Sequence, residues 1–189
     1  MSATDAMRVD PAAPEDARAI AEVHVASWQA AYKDMLPAQY LADLSVAERE
    51  TRWRASIERE HPECLVARSG TKVVGFVSFA ASRDEGAAAG CAEIWAFYLA
   101  PAVWSQGAGR MLWQSALGRI ADAGYTSVSL WVVATNERAI RFYRGAGFVP
   151  DPGSLKEFTL GGVRLQEVRY VYREGPWAPD CSDRERGRS

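Results

Sequence analysis

Ala17, Ile20, His24, Trp28 and Ala31 fall on one face of a helical period, in a stretch that opens at Pro14, Glu15 and Asp16 and runs to about Tyr32. Proline suits the first helical position and acids suit a helix amino terminus, so the pattern predicts an amphipathic helix. Ser45 and Glu48 have the spacing of a capping box and announce a second helix that carries Trp53 and Ile57 inward and ends near His61 and Pro62. The period then changes. Cys64 to Arg68 and Lys72 to Ala80 are apolar or alternating runs split by Ser69, Gly70 and Thr71, a β-hairpin. Ala81 to Gly90 reads as a loop, and Cys91 to Leu99 as a buried strand stopped by Pro101.

Met111, Leu112, Ala116, Leu117 and Ile120 predict a helix over residues 107–123, with Gly124 as its carboxyl-terminal stop. A strand over Ser127 to Val133 follows, then a short helix from Asn136 to Ala146 ending at Gly147. Phe148, Glu157 to Leu160 and Val163 to Arg173 are the last strands, with a turn at Gly161 and Gly162. Helices interleaved with strands and hairpins predict an α/β (α+β) fold with a mixed sheet.

At 189 residues with 48% hydrophobic composition, the chain can bury one proper core, and one domain over residues 1–173 is expected. Residues 174–189 are rich in Pro, Gly and charge and are expected to be a mobile tail. The formal charge of −2 and the scattered Lys and Arg residues disfavour a nucleic-acid partner. No apolar run approaches the roughly 20 residues of a membrane span, and no leader pattern opens the chain, so a cytoplasmic location is expected. Cys64, Cys91 and Cys181 are odd in number and far apart, which predicts reduced thiols and no metal site.

The chemistry concentrates after the buried strand. Trp104-Ser105-Gln106-Gly107-Ala108-Gly109-Arg110 lies between strand and helix, where backbone N–H groups and the helix dipole can hold a phosphate. Two glycines at a helix start also serve plain turn geometry. Leu112 stands where a dinucleotide fingerprint would have its third glycine, and no Gly-Lys-Ser/Thr run of a nucleoside-triphosphate loop occurs.

Two stretches resemble the GNAT N-acetyltransferase superfamily. Glu93 to Pro101 followed by Trp104 to Gly109 matches its strand, Pro and Gln/Arg-x-x-Gly-x-Gly/Ala turn, with Trp104 at the usual Gln/Arg position. Asn136-Glu-Arg-Ala139-Ile-Arg-Phe142-Tyr143-Arg-Gly-Ala-Gly147-Phe148 matches its second motif. The resemblance covers residues 7–173 and implies a mixed, mostly antiparallel central sheet flanked by helices. It further implies that Gln106, Gly107, Ala108, Gly109, Arg110 and Met111 cradle the pyrophosphate of acetyl-CoA, that the main chain of Phe97 and Leu99 pairs with pantetheine like an added strand, and that Asn136 faces the same co-substrate. No metal is called for. Self-association is common in that superfamily, although no residue pattern here identifies a homodimer face.

Acetyl transfer to an amine needs a proton acceptor for the amine and a donor for the departing thiolate. Glu93, a carboxylate in an apolar strand, fits the first role, its bland alternative being a salt-bridged or strand-end acid. Tyr143 fits the second, with core packing as its alternative. His24 can be a base, a substrate contact or simply a packed ring. Trp28 and Tyr32 match a region that lines the acceptor pocket in members of the superfamily. Asp34, Asp43, Asp84 and Glu85 offer negative charge to a cationic amine or are ordinary surface acids. Cys64 and Cys91 sit in apolar strands, which suits packing better than nucleophilic catalysis. The leading function is an acyltransferase that acetylates a small-molecule primary amine from acetyl-CoA by direct attack. A CoA-binding sensor without turnover and an acetyltransferase of protein or peptide amines stand as alternatives.

Overall fold

The structure, a computed structural model, describes residues 7–173. Among these, residues 7–78 together with Ala96–Leu117 form one compact unit, and Phe79–Trp95 with residues 118–173 form a second. The tail over residues 174–189 and Cys181 lie outside the described residues.

In the first unit, β1 (Met7–Pro11) precedes a 3-10 turn (Pro14–Asp16) and α1 (Ala17–Ala31). Asp16 ties these together, because its buried carboxylate accepts the Ala13 N–H at 2.9 Å and the Arg68 guanidinium at 2.7 Å. A short α2 (Ala38–Ala42) leads to α3 (Val46–Glu58), whose amino terminus is capped by Ser45 Oγ accepting the Glu48 N–H at 3.2 Å. The hairpin follows as β2 (Glu63–Ser69) and β3 (Lys72–Ala81). Ala17, Ile20 and Val23 of α1 meet Ile57 of α3 and Cys64, Val66, Val73 and Phe76 of the hairpin in one core.

β4 (Cys91–Leu99) and α4 (Ala108–Asp122) each pass from one unit into the other. The second unit adds β5 (Ser127–Val133), α5 (Glu137–Gly145), β6 (Phe148–Pro150), β7 (Lys156–Leu160) and β8 (Val163–Tyr172). The strand order is β1-β2-β3-β4-β5-β8-β6, with β7 paired to β8. β4 and β5 run parallel from Cys91↔Ser127 to Ile94↔Leu130, whereas β1–β2, β5–β8, β6–β8 and β7–β8 are antiparallel. The sheet is thus mixed and mostly antiparallel, as expected.

Two elements were not anticipated. β1 is a five-residue edge strand ending on a proline, and α2 spans little more than one turn, so neither carries enough apolar contrast to register as a period. The thiol expectation also needs correcting. Cys64 is a free, buried thiol, but Cys91 is disulfide-bonded, since separation along the chain says nothing of distance in the fold.

Candidate functional site

The turn after β4 is built by local hydrogen bonds. Ala100 N–H reaches the Val74 carbonyl at 2.8 Å, and a 3-10 turn over Pro101–Val103 follows. Trp104, the departure from the superfamily pattern, donates its indole N–H to the Leu99 carbonyl at 2.9 Å, and Gln106 donates its amide to the Ala102 carbonyl at 2.7 Å. Trp104 therefore braces the turn onto the strand end, and Gln106 ties the turn to its own 3-10 segment. Ser105 (φ 61°) and Gly107 (φ 88°) adopt left-handed conformations immediately ahead of α4, which is uncommon for a serine. Such alternation turns successive N–H groups into one concavity, and the first N–H groups of any α-helix lack intrahelical acceptors. A Cβ built on Gly107 meets no atom within 4 Å, so glycine is required there by φ and not by protein crowding. Ala108, Gly109, Arg110 and Met111 form the first turn of α4, with the Met111 N–H closing onto the Gly107 carbonyl at 3.2 Å.

Phe97 and Leu99 lie half-buried on β4. Because Ala100 N–H points at β3, the alternation of a strand turns the main-chain groups of Phe97 and Leu99 to the opposite side. Gly75 of β3 lets the strands meet closely here. An added Cβ would run into Leu99 Cδ2 and lie 3.1 Å from the Tyr98 carbonyl oxygen.

The same unit gathers an aromatic cluster from α1, α3, β3 and β4. The His24 ring stacks on Tyr98 at 4.7 Å and 18°, and it meets Trp28, Trp53 and Phe76 at 5.8–6.0 Å. Trp28 and Tyr32 are 5.0 Å apart. Burial, with the Arg49 charge adding to it, pushes His24 down to about 3, so the ring is neutral and a poor base at working pH. Arg49 Cζ lies 5.2 Å from the centroid of the Trp28 ring. Arg49 carries no obvious motif and was missed in the sequence.

In the second unit Glu93 is 2% exposed and fully engaged. Its Oε2 accepts the Arg83 backbone N–H at 2.9 Å, its Oε1 accepts Arg83 Nε at 3.1 Å, and Arg83 Nη2 adds a further contact. Arg83 stacks over Trp95 with Cζ 4.3 Å from the ring centroid, while its side chain remains 57% exposed. The salt-bridged alternative for Glu93 is therefore present, and any catalytic duty must coexist with it. Tyr143 lies half-buried on α5, 5.4 Å from Phe142 and 5.8 Å from Phe148 between ring centres. Asn136 caps α5, its Oδ1 accepting the Ala139 N–H at 3.1 Å, which leaves the amide NH₂ as the group it can offer a ligand.

Asp84 is not a free trap for amines. Lys156 donates to it at 2.8 Å, Arg169 at 3.2 Å and the Trp131 indole at 3.1 Å. Burial raises its pKa, but these partners outweigh it and hold the carboxyl below the usual range. Asp43 accepts from Gln39 at 2.7 Å. Glu167 on β8 is a carboxylate that sequence reading passed over: burial pushes it up, Lys156 opposes, and the Asp84 and Glu93 charges add to the rise. Among the described residues no group of three His, Cys, Asp or Glu is placed to hold a metal, and no helix is long and apolar enough to cross a membrane.

Comparison with known proteins gives one family. Residues 25–148 match the Acetyltransferase (GNAT) family. The Uncharacterized N-acetyltransferase YuaI of Bacillus subtilis (strain 168) is 34% identical over 155 residues, covering 82% of this chain and 86% of its own. Among solved structures, the PaiA N-acetyltransferase from Thermoplasma acidophilum in complex with coenzyme A superposes with a TM-score of 0.69 at 21% identity, covering 86% of this chain and 98% of that one. YncA of Salmonella typhimurium, a putative acetyltransferase with its cofactor acetyl-CoA, gives 0.69 at 20% identity, covering 93% and 98%. A matched family spanning most of the chain, with both motifs inside it and the mixed sheet around it, places the protein in the GNAT family of N-acetyltransferases, and it is an acyltransferase.

Proposed function

We propose that the enzyme acetylates a primary amine of a small molecule, using acetyl-CoA as co-substrate and direct attack without a covalent enzyme intermediate. The observation that carries the reading is the turn before α4, where Ser105 and Gly107 take left-handed backbone conformations and the helix start opens onto space that a Cβ at 107 would not fill. That is the geometry an approaching pyrophosphate requires. Gln106 to Arg110 supply its backbone donors, with Met111 closing the helix turn onto the Gly107 carbonyl; Phe97 and Leu99 turn main-chain groups to the side of β4 away from β3, the Leu99 carbonyl being held by Trp104, and Asn136 offers its amide. The CoA complexes known for PaiA and YncA accord with this assignment.

The chemistry balances on two side chains. The amine nitrogen forms the new C–N bond as the thioester C–S bond breaks, Glu93 takes the nitrogen's proton directly or through water, and the Tyr143 hydroxyl delivers a proton to sulfur. A phenol is by nature a weaker acid than a thiol by about 1.5 pH units, so full transfer runs uphill by only about 2 kcal/mol. A main-chain N–H near Leu99 serves the oxyanion at no reorganisation cost. A small acceptor is favoured over a protein by the inward-facing donors and rings around Trp28 and Tyr32, which suit a group that enters the fold.

Calorimetric titration with acetyl-CoA, with NADH and ATP as controls, tests the co-substrate assignment. Selective binding in the micromolar range is expected, and its absence overturns the assignment. Release of free CoA thiol across an amine panel then separates turnover from mere sensing.

A further inference from the structure

The His24–Arg49 contact sets two hydrogen-bond donors against each other. Trp53 Nε1–H donates to His24 Nδ1 at 3.2 Å. An indole nitrogen can only donate, so Nδ1 must carry a lone pair, which excludes imidazolium and places the ring's one proton on Nε2. Arg49 Nη1 lies 3.4 Å from that same Nε2. A guanidinium has donors only, so two N–H groups face each other and no hydrogen bond joins them.

Arg49 has little else. Its Nε is buried without a hydrogen-bond partner, and no carboxylate among the described residues comes within ion-pair distance of it. The Trp28 ring face compensates part of the charge but offers no acceptor in the guanidinium plane for the buried Nε–H. The Trp28 indole N–H, also buried, leans toward the Tyr98 phenol without reaching hydrogen-bond geometry. Burial accordingly works against the Arg49 charge. Half-buried arginines are normally paired, because an uncompensated charge away from water is costly.

We infer that Arg49 and the His24 Nε2–H form an anion-recognition subsite, and that the acceptor amine carries a carboxylate, as an amino acid does. This rests on the acetyltransferase reading and names the substrate class of that site. One carboxylate oxygen between Nη1 and Nε2 accepts both N–H groups and turns the donor conflict into two charge-assisted bonds. Trp53 is a positioning residue, since its N–H sets the tautomer that aims the His24 proton. Tyr98, stacked on His24, lies between Phe97 and Leu99 on the strand assigned to pantetheine, so the subsite adjoins the acetyl donor.

The test uses the full chain. Thiol release is measured for amino acids, their carboxamides and their decarboxylated amines, with wild type and R49Q, alongside thermal unfolding. Wild type should prefer the acid over its carboxamide by about 100-fold in kcat/KM, mostly in KM, and R49Q should abolish that preference. R49Q should also keep or raise Tm, as expected when an uncompensated charge is removed, whereas an arginine serving the fold would lower it. Independently, the products themselves, N-acetyl amino acids, should shift the His24 ring resonances in wild type and not in R49Q. Equal turnover of acids and carboxamides, or an unmoved His24 signal across the N-acetyl amino acids, overturns the subsite. If acetyl-CoA does not bind while those carboxylates still shift His24, the acetyltransferase reading falls and the subsite stands.

Discussion

Glu93→Gln separates the two duties that one carboxylate has to perform. In the folded enzyme Oε2 holds the Arg83 N–H and Oε1 holds the guanidinium. An amide keeps one acceptor and turns a donor toward the other position, so one of these contacts is lost. Breaking a buried ion pair by removing one partner costs about 3–5 kcal/mol when the remaining charge is trapped. Arg83 is 57% exposed and can return to water, which reduces the cost to about 1–3 kcal/mol, the range for a mispaired buried donor. At this chain length that is a fall in Tm of about 3–10 °C. If Glu93 is also the proton acceptor, kcat/KM drops by about 10²–10⁴ beyond any effect of stability. The assay is initial-rate thiol release at 25 °C on protein shown to be folded, set beside its thermal melt. A lowered Tm with kcat/KM within threefold of wild type refutes the base assignment and leaves Glu93 a structural acid. A parallel loss in Glu167→Gln alone would move the role to that carboxylate, whose proton affinity burial has already raised.

Tyr143→Phe should lower kcat by about 10²-fold while leaving acetyl-CoA affinity by calorimetry unchanged, because only the hydroxyl is removed; unchanged turnover would exclude the donor role. Gly75→Val should raise KM for acetyl-CoA and cost about 1–3 kcal/mol in urea unfolding, since Leu99 Cδ2 can swing aside but the Tyr98 carbonyl, 3.1 Å from the new Cβ, belongs to the β4 backbone. His24, with its folded pKa at about 3 and an unfolded value near 6.5, binds a proton only when the chain unfolds across that window. Its contribution is therefore complete above pH 6.5 and fades as pH falls toward 3, by roughly 2 kcal/mol between pH 7 and 5; a His24→Gln variant should lack that slope, and a ring titrating near pH 6 by NMR would contradict it.

Much of this molecule is legible because its signals are local. Ser45 and Glu48 lie three residues apart and do cap α3, and Asn136 caps α5 through Ala139. The left-handed backbone at Gly107 follows from a glycine placed between a strand and a helix. What escaped reading is what the fold brings together across the chain. Nothing in the sequence joins Arg83 to Glu93 as a bidentate pair, or Asp84 to Lys156 and Arg169, and both arrangements change what those acids can do. Trp104, a departure from the superfamily pattern in sequence, is in the fold the brace that fastens the turn to Leu99.

The unlike fates of the charged groups bear on specificity. Asp16, Asp84, Asp151 and Glu93 are all buried or half-buried acids, and each has an arginine or lysine at hydrogen-bond distance. The fold thus meets the general requirement that buried charge be paired. Arg49 departs from it, and the departure sits beside a histidine held neutral by burial and packed against two tryptophans. Among the described residues, Glu167 is the other half-buried charge with no hydrogen-bonded partner, but as a carboxylate it can take up a proton, which a guanidinium has no equivalent means of doing. A substrate anion would answer two features at once, the donor facing donor at His24 and a cation stacked on Trp28 whose buried Nε–H has no partner.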